Sequence, residues 1–137
     1  MKIACIACGK KKKSYSCKAQ EMYDGTLFKK SLTLAEKQGY DKIYILSAKY
    51  GLLELDQIIS PYNFSLFDMS NDEIKKWSKE VKTKLPEADI DYYAGKTYYK
   101  FLPKGNVIWE GKGIGLIIQN LDKKIKQNNN NLNEFDI

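Results

Sequence analysis

A chain of 137 residues is the size of one domain, long enough to bury a core and too short for two. Its 23 basic against 17 acidic residues give a net charge of +6, which favours anionic partners. Every basic residue is a lysine and there is no histidine. The missing residues exclude bidentate arginine readout of phosphate or guanine as well as Ser-His and Cys-His dyads, leaving any chemistry to Asp, Glu, Lys, Tyr, Cys, Ser or the backbone.

No run approaches the roughly 18 consecutive apolar residues of a membrane span. The opening MKIACIACGKKKK carries its basic cluster after the apolar segment, the reverse of a secretory signal, so a cytoplasmic protein without a membrane partner is expected. Cys5, Cys8 and Cys17 are an odd set crowded near the start, a pattern of reduced thiols rather than of disulfides. Cys5 and Cys8 form a C-x-x-C. With no histidine and no second cysteine pair, the four ligands of a closed zinc site are not assembled, and neither a metal nor another cofactor is expected.

In chain order, residues 2–8, KIACIAC, read as a buried strand followed by Gly9 and four lysines. Thr26 is placed to cap a helix over 27–38, with Gly39 at its stop. A second strand at 42–47 completes a βαβ unit, which implies a right-handed crossover and parallel pairing. Ser70-Asn71-Asp72-Glu73 opens a fourth element, a helix that runs to Leu85. Its Ile74, Trp77 and Val81 recur at helical spacing, and the opposite face of Lys75, Lys76, Lys79, Lys82 and Lys84 reads as solvated. A strand at 89–94, a helix at 96–102, a short strand at 106–109 and a glycine-led terminal helix follow. Residues 127–137 read as a polar, disordered tail, so the domain is taken as 1–126. The fold class is α/β: a three-layer domain with an open, mostly parallel sheet and helices on its faces. No stretch reads as an obligate dimer seam.

In such sheets ligands bind beyond the carboxyl ends of the strands. Each expected strand ends in small residues, glycine and lysine: Cys8-Gly9-Lys10, Ser47-Ala48-Lys49-Tyr50-Gly51, Ala94-Gly95-Lys96 and Glu110-Gly111-Lys112. Together they have the composition of a rim pocket for an anionic or nucleotide-like ligand. The glycines match neither the G-x-G-x-x-G nor the P-loop spacing, so NAD and ATP are not implied.

The segments ACGKKK, MYDGTLF, ILSAKYGLLELDQIISPYNFSL and YYAGKTYYKFL, spread from Lys2 to about Leu121, resemble the YaaA-like superfamily, in particular its small stand-alone domains. The resemblance implies a role in peroxide stress or DNA protection through nucleic-acid or nucleotide binding. It marks Cys8, Gly9 and Lys10; Tyr23, Gly25 and Phe28; Ser47, Lys49, Tyr50 and Gly51; Pro61 and Tyr62; and Gly95 and Tyr98, and all of these except Phe28 and Lys49 are taken as ligand-binding positions. Longer members bind DNA through an inserted helix-hairpin-helix. None lies between the helices of this chain, so any DNA contact is expected to be weak and salt-sensitive. Tyr23 and Tyr62 are the candidate stacking faces for a planar base. One alternative is an N-glycosylase-type hydrolase of a nucleoside or modified base, with Lys49 as nucleophile or leaving-group cation and Asp56 or Glu110 as acid or base. Another is a thiol redox sensor built on the three cysteines.

Overall fold

In the computed structural model, which describes residues 1–135 with side chains through residue 129, the first strand sets the layout. β1 (Lys2–Ala7) is buried on both faces, which is why its sequence is continuously apolar rather than alternating. Ile3, Cys5 and Ala7 face one hydrophobic cluster, while Ala4, Ile6 and Cys8 face the other.

After β1 the lysine run is not a free loop. Lys12 bridges Tyr23, Lys13 N–H donates to Met22 O at 2.9 Å and Asp24 N–H to Lys11 O at 2.8 Å. β2 (Cys17–Lys18) leads into a single helical turn, α1 (Ala19–Met22), and then α2 (Thr26–Glu36). The N-cap of α2 is Gly25 rather than Thr26, one residue earlier than expected, and it offers no side-chain cap. Phe28, Ser31, Leu34 and Ala35 form the buried face of α2. Gly39 follows with φ 72°, as the expected stop requires.

β3 (Lys42–Ser47) pairs parallel to β1. It then turns straight back into β4 (Gly51–Glu54), an antiparallel partner in which Ser47 opposes Gly51 and Tyr44 opposes Glu54. Gly51 has φ 72°, which an L side chain rarely adopts, and this permits the reversal. Leu52 and Leu53 bury on opposite faces and hold the strand in place. β5 (Ile58–Ile59) pairs with β2 as a separate two-stranded ribbon, and Leu66–Asp68 form one 3-10 turn.

α3 (Asn71–Lys84) begins with the expected capping box: Glu73 N–H donates to Ser70 Oγ at 3.2 Å and Ser70 N–H to Glu73 Oε1 at 3.0 Å. The Ser70 N–H, with the Ser70 hydroxyl beside it, holds the Glu73 carboxyl below its usual range. Ile74, Trp77, Ser78 and Val81 are buried, and the five lysines of the opposite face are solvent-exposed. β6 (Asp89–Tyr93) pairs parallel to β1 on the side away from β3, and β7 (Asn106–Val107) pairs parallel to β6. Between them α4 (Lys96–Tyr99) is a single turn, shorter than the expected 96–102.

The sheet order is β4-β3-β1-β6-β7, with α2 and α5 (Ile114–Phe135) over one face and α3 and α4 over the other. This is the single α/β layer structure that the sequence implies, mostly parallel and carrying one antiparallel edge. α5 does not end at Lys126. It continues to Phe135 across most of the stretch expected to be a disordered tail, with Lys37 Nζ donating to Asn129 Oδ1 and Asn128 half-buried against the body. Asparagine is a poor helix former, but packing beside α2 overrides that weak preference. Asp136 and Ile137 of the expected tail lie outside the described residues.

Candidate functional site

The chain leaves β1 through α2 to reach β3 on one side, then crosses to β6 on the other side of β1. That reversal is a topological switch point, and it leaves a crevice beyond the carboxyl ends of β1 and β6. A cavity of about 550 Å³ occupies it, within the range of small-molecule sites. Its floor is Ala7, Cys8 and Gly9 at the end of β1. One wall is the first turn of α2, Gly25 to Phe28, and another is Gly95 and Tyr98 after β6. Phe67, Trp109, Ile114 and Ile118 close the remaining side.

The chemistry of the lining is uneven. Most of it is aromatic or aliphatic, and among the described residues its one charged side chain is Lys10. The first N–H groups of a helix have no intrahelical partner, and Gly25 supplies no side chain to cap those of α2. The helix start and Lys10 therefore make an electropositive margin on an apolar pocket. Asp24, just outside it, is neutralised by ion pairs with Lys13 and, at 3.6 Å, with Lys29; the Lys13 hydrogen bond holds its carboxyl below the usual range. A Cβ added at Gly25 or Gly95 would meet nothing within 4 Å, and neither residue has a positive φ. At both positions bare backbone borders open space.

Behind the floor lies a hydroxyl cluster. Tyr62 Oη is its hub, 2.7 Å from Ser47 Oγ, 2.9 Å from Tyr23 Oη and 3.6 Å from Cys8 Sγ. Tyr98 Oη lies 3.9 Å from the same sulfur. Ser47 Oγ also accepts from Tyr50 N–H at 3.2 Å, and Ser47 O accepts from Trp77 Nε1–H at 2.8 Å. Burial pushes the Tyr23, Tyr62 and Tyr98 phenols well above their ordinary range. They remain neutral near pH 7, fitted to position the thiol and not to accept its proton. Lys12 Nζ sits 4.4 Å from the Tyr62 ring centroid.

Of the positions expected to bind ligand, Cys8, Gly9, Lys10, Gly25, Gly95 and Tyr98 line the crevice together. Tyr23, Ser47 and Tyr62 stand behind it in the hydroxyl cluster. Tyr23 is 1% exposed and packs edge-on against Phe28, so it offers no free stacking face. Tyr50 clips the β3–β4 turn to the next segment: its hydroxyl donates to Ser60 O at 3.1 Å and accepts from Ser60 N–H at 3.2 Å. Pro61 follows that clip, and Gly51 belongs to the turn.

The residues expected to be catalytic are not brought together. Lys49 is exposed in the turn with its ammonium 5.3 Å from the Tyr50 ring centroid. Asp56 borders a different cleft, with Tyr40 and Glu54. Glu110 is exposed and lies 3.7 Å from Lys124 Nζ. None of the three lines the crevice. The C-x-x-C cysteines face opposite sides of the sheet, and among the described residues no cluster of three or more His, Cys, Asp or Glu is placed to hold a metal.

Sequence reasoning missed Phe67, Trp109, Ile114 and Ile118. Trp109 was legible in part, as the residue ending the fourth expected strand. Phe67 lies in a segment without regular periodicity, and only the tertiary fold carries it to the crevice.

No curated protein matches the chain. A family model described as a family of unknown function, DUF6884, matches residues 3–132. That match spans nearly the whole domain, crevice included, and the chain belongs to the DUF6884 family.

Proposed function

We propose that the crevice beyond β1 and β6 binds a nucleotide-like ligand, with the base among the apolar side chains and the phosphate at Lys10 and the start of α2. The observation that carries this reading is the pairing, in one 550 Å³ cavity, of aromatic walls with a single lysine and an uncapped helix start. Aromatic and aliphatic walls suit a planar ring. The electropositive margin suits an anion, and among the described residues no carboxylate lines the cavity to repel one. The net charge of +6 draws anions to the surface, and the resemblance to the YaaA-like superfamily agrees with a nucleotide or nucleic-acid ligand. Binding accounts for the site better than glycosidic cleavage, since Lys49, Asp56 and Glu110 all lie outside it.

The test is a calorimetric titration with the four deoxynucleoside monophosphates and their nucleosides, on the wild type and on Gly25→Asp. Aspartate is a good N-cap, so this substitution keeps or slightly raises helix stability while placing a negative charge where the phosphate would sit. A monophosphate is expected to bind more tightly than its nucleoside. Gly25→Asp is expected to remove that preference, a loss on the order of tenfold or about 1.4 kcal/mol, without lowering Tm. No heat with any nucleotide or nucleoside at millimolar concentration would refute the reading.

A further inference from the structure

Beside the main crevice lies a second, smaller cleft of about 130 Å³, lined by Lys10, Lys12, Asn63, Phe64, Ser65 and Asp68. Lys10 lines both cavities, so the two adjoin across that side chain. A mononucleotide seated in the crevice with its phosphate at Lys10 leaves this cleft empty. We propose that the ligand is a dinucleotide or a longer single strand. One nucleotide would occupy the crevice, the phosphodiester would cross Lys10 and Lys12, and the next base would lie against Phe64. This inference rests on the nucleotide reading of the crevice and extends it.

Several features fit the cleft to that second nucleotide. Phe64 is 40% exposed, although its ring packs against Tyr62 at a centroid distance of 5.2 Å and a tilt of 51°. One edge of the ring is thus anchored while part of its surface is left for a partner. Phe67, from the same segment, is 66% exposed and lines the main crevice, so exposed aromatic rings stand on both sides of the shared lysine. Lys12 is fixed by donating to Lys10 O at 3.0 Å and by lying over Tyr62, which reduces the ordering cost when it meets a phosphate. Among the described residues Asp68 is the one carboxylate in the cleft, and its Oδ2 is engaged, accepting from Ser65 N–H at 2.8 Å and Ser65 Oγ–H at 3.4 Å. Lysines that track a backbone, interleaved with aromatic faces on which bases stack, are the elements of single-strand recognition.

The experiment compares each deoxynucleoside 5′-monophosphate with the dinucleotide that carries the same nucleoside at its 3′ end, so that the 5′ phosphate becomes the phosphodiester, by calorimetry, on the wild type, Phe64→Ala and Phe64→Leu. Leucine keeps apolar packing against Tyr62 while removing the flat face, which guards against misfolding in the alanine variant. In the wild type the dinucleotide is expected to bind on the order of tenfold more tightly than the monophosphate, as one stacked base provides. Both Phe64 variants are expected to lose that increment and keep the monophosphate affinity. Equal affinities for the two ligands in the wild type would overturn this proposal and leave the nucleotide reading intact, as would an increment that survives in both variants. Failure of every ligand to bind would overturn both.

Discussion

Two strand ends of this molecule look alike in sequence and do different things. The end of β1, Cys8-Gly9-Lys10, and the end of β3, Ser47-Ala48-Lys49-Tyr50-Gly51, both present small residues, a lysine and a positive-φ glycine. The first opens into the cavity; the second closes on itself as a hairpin with β4. The difference is topological. β1 lies between strands reached by crossovers on opposite faces, which forces a gap at its end, whereas β3 is followed at once by an antiparallel neighbour that fills the corresponding space. Small residues and a cation at a strand end are compatible with a pocket, and the chain path decides whether one forms.

The closed end should depend on packing, and the strongest way to break it is Trp77→Ala. Trp77 is 6% exposed and its indole N–H donates to Ser47 O. Its truncation is expected to cost about 3–5 kcal/mol, read as a lowered urea midpoint. Tyr62→Phe tests the link between the two ends. Removing the hub hydroxyl leaves Ser47 and Tyr23 short of a partner, and a loss of about 1–3 kcal/mol is expected with little change in mononucleotide affinity, since Tyr62 does not line the crevice.

The same contrast occurs within β1 itself. Cys5 is buried in the core, where desolvation pushes its thiol up from 9.0 to about 12, while Cys8 lines the crevice. A folded-state pKa above the unfolded value gives stability that is fully present below pH 9 and is lost as pH rises from there toward 12. Each pH unit inside that window costs about 1.4 kcal/mol. Thermal melts between pH 8 and 11 are expected to show a decline that begins near pH 9 in the wild type, and nearer pH 10 in Cys5→Ala, where the raised phenols of the buried tyrosines take over. The smallest effect belongs to Lys49→Ala. An exposed turn lysine should change stability by no more than about 0.5 kcal/mol and leave nucleotide affinity as it was. A tenfold loss there would reverse the assignment of the two strand ends.

Much of the fold was legible because its signals are local. The apolar run of β1, the capping box at Ser70 and the Ile74–Trp77–Val81 spacing each specify an element without help from distant residues. β4 was not legible, since Gly51 to Glu54 lacks β-branched residues and its two leucines point to opposite faces, a pattern that short apolar loops share. The continuation of α5 past Lys126 was also hidden, because poor helix formers are held there by contact with α2. At the candidate site, Cys8, Gly9, Lys10, Gly25, Gly95 and Tyr98 were marked by strand-end composition or by family resemblance, and the structure gathers them in one cavity. Lys49 and Glu110 were marked by the same strand-end composition and Asp56 by its chemistry, but the chain path leaves all three outside that cavity, and the missed Phe67 has only tertiary reasons to be where it is.

The most direct measurement is an amide proton–nitrogen correlation spectrum recorded through a titration with a deoxynucleoside monophosphate. It reports on both strand ends at once through their glycines. The expected result is saturable movement of the Gly9, Gly25 and Gly95 resonances while Gly51 stays in place. Movement confined to Lys49, Tyr50 and Gly51, or none at all, would contradict the claim that the crevice beyond β1 and β6 is the binding site.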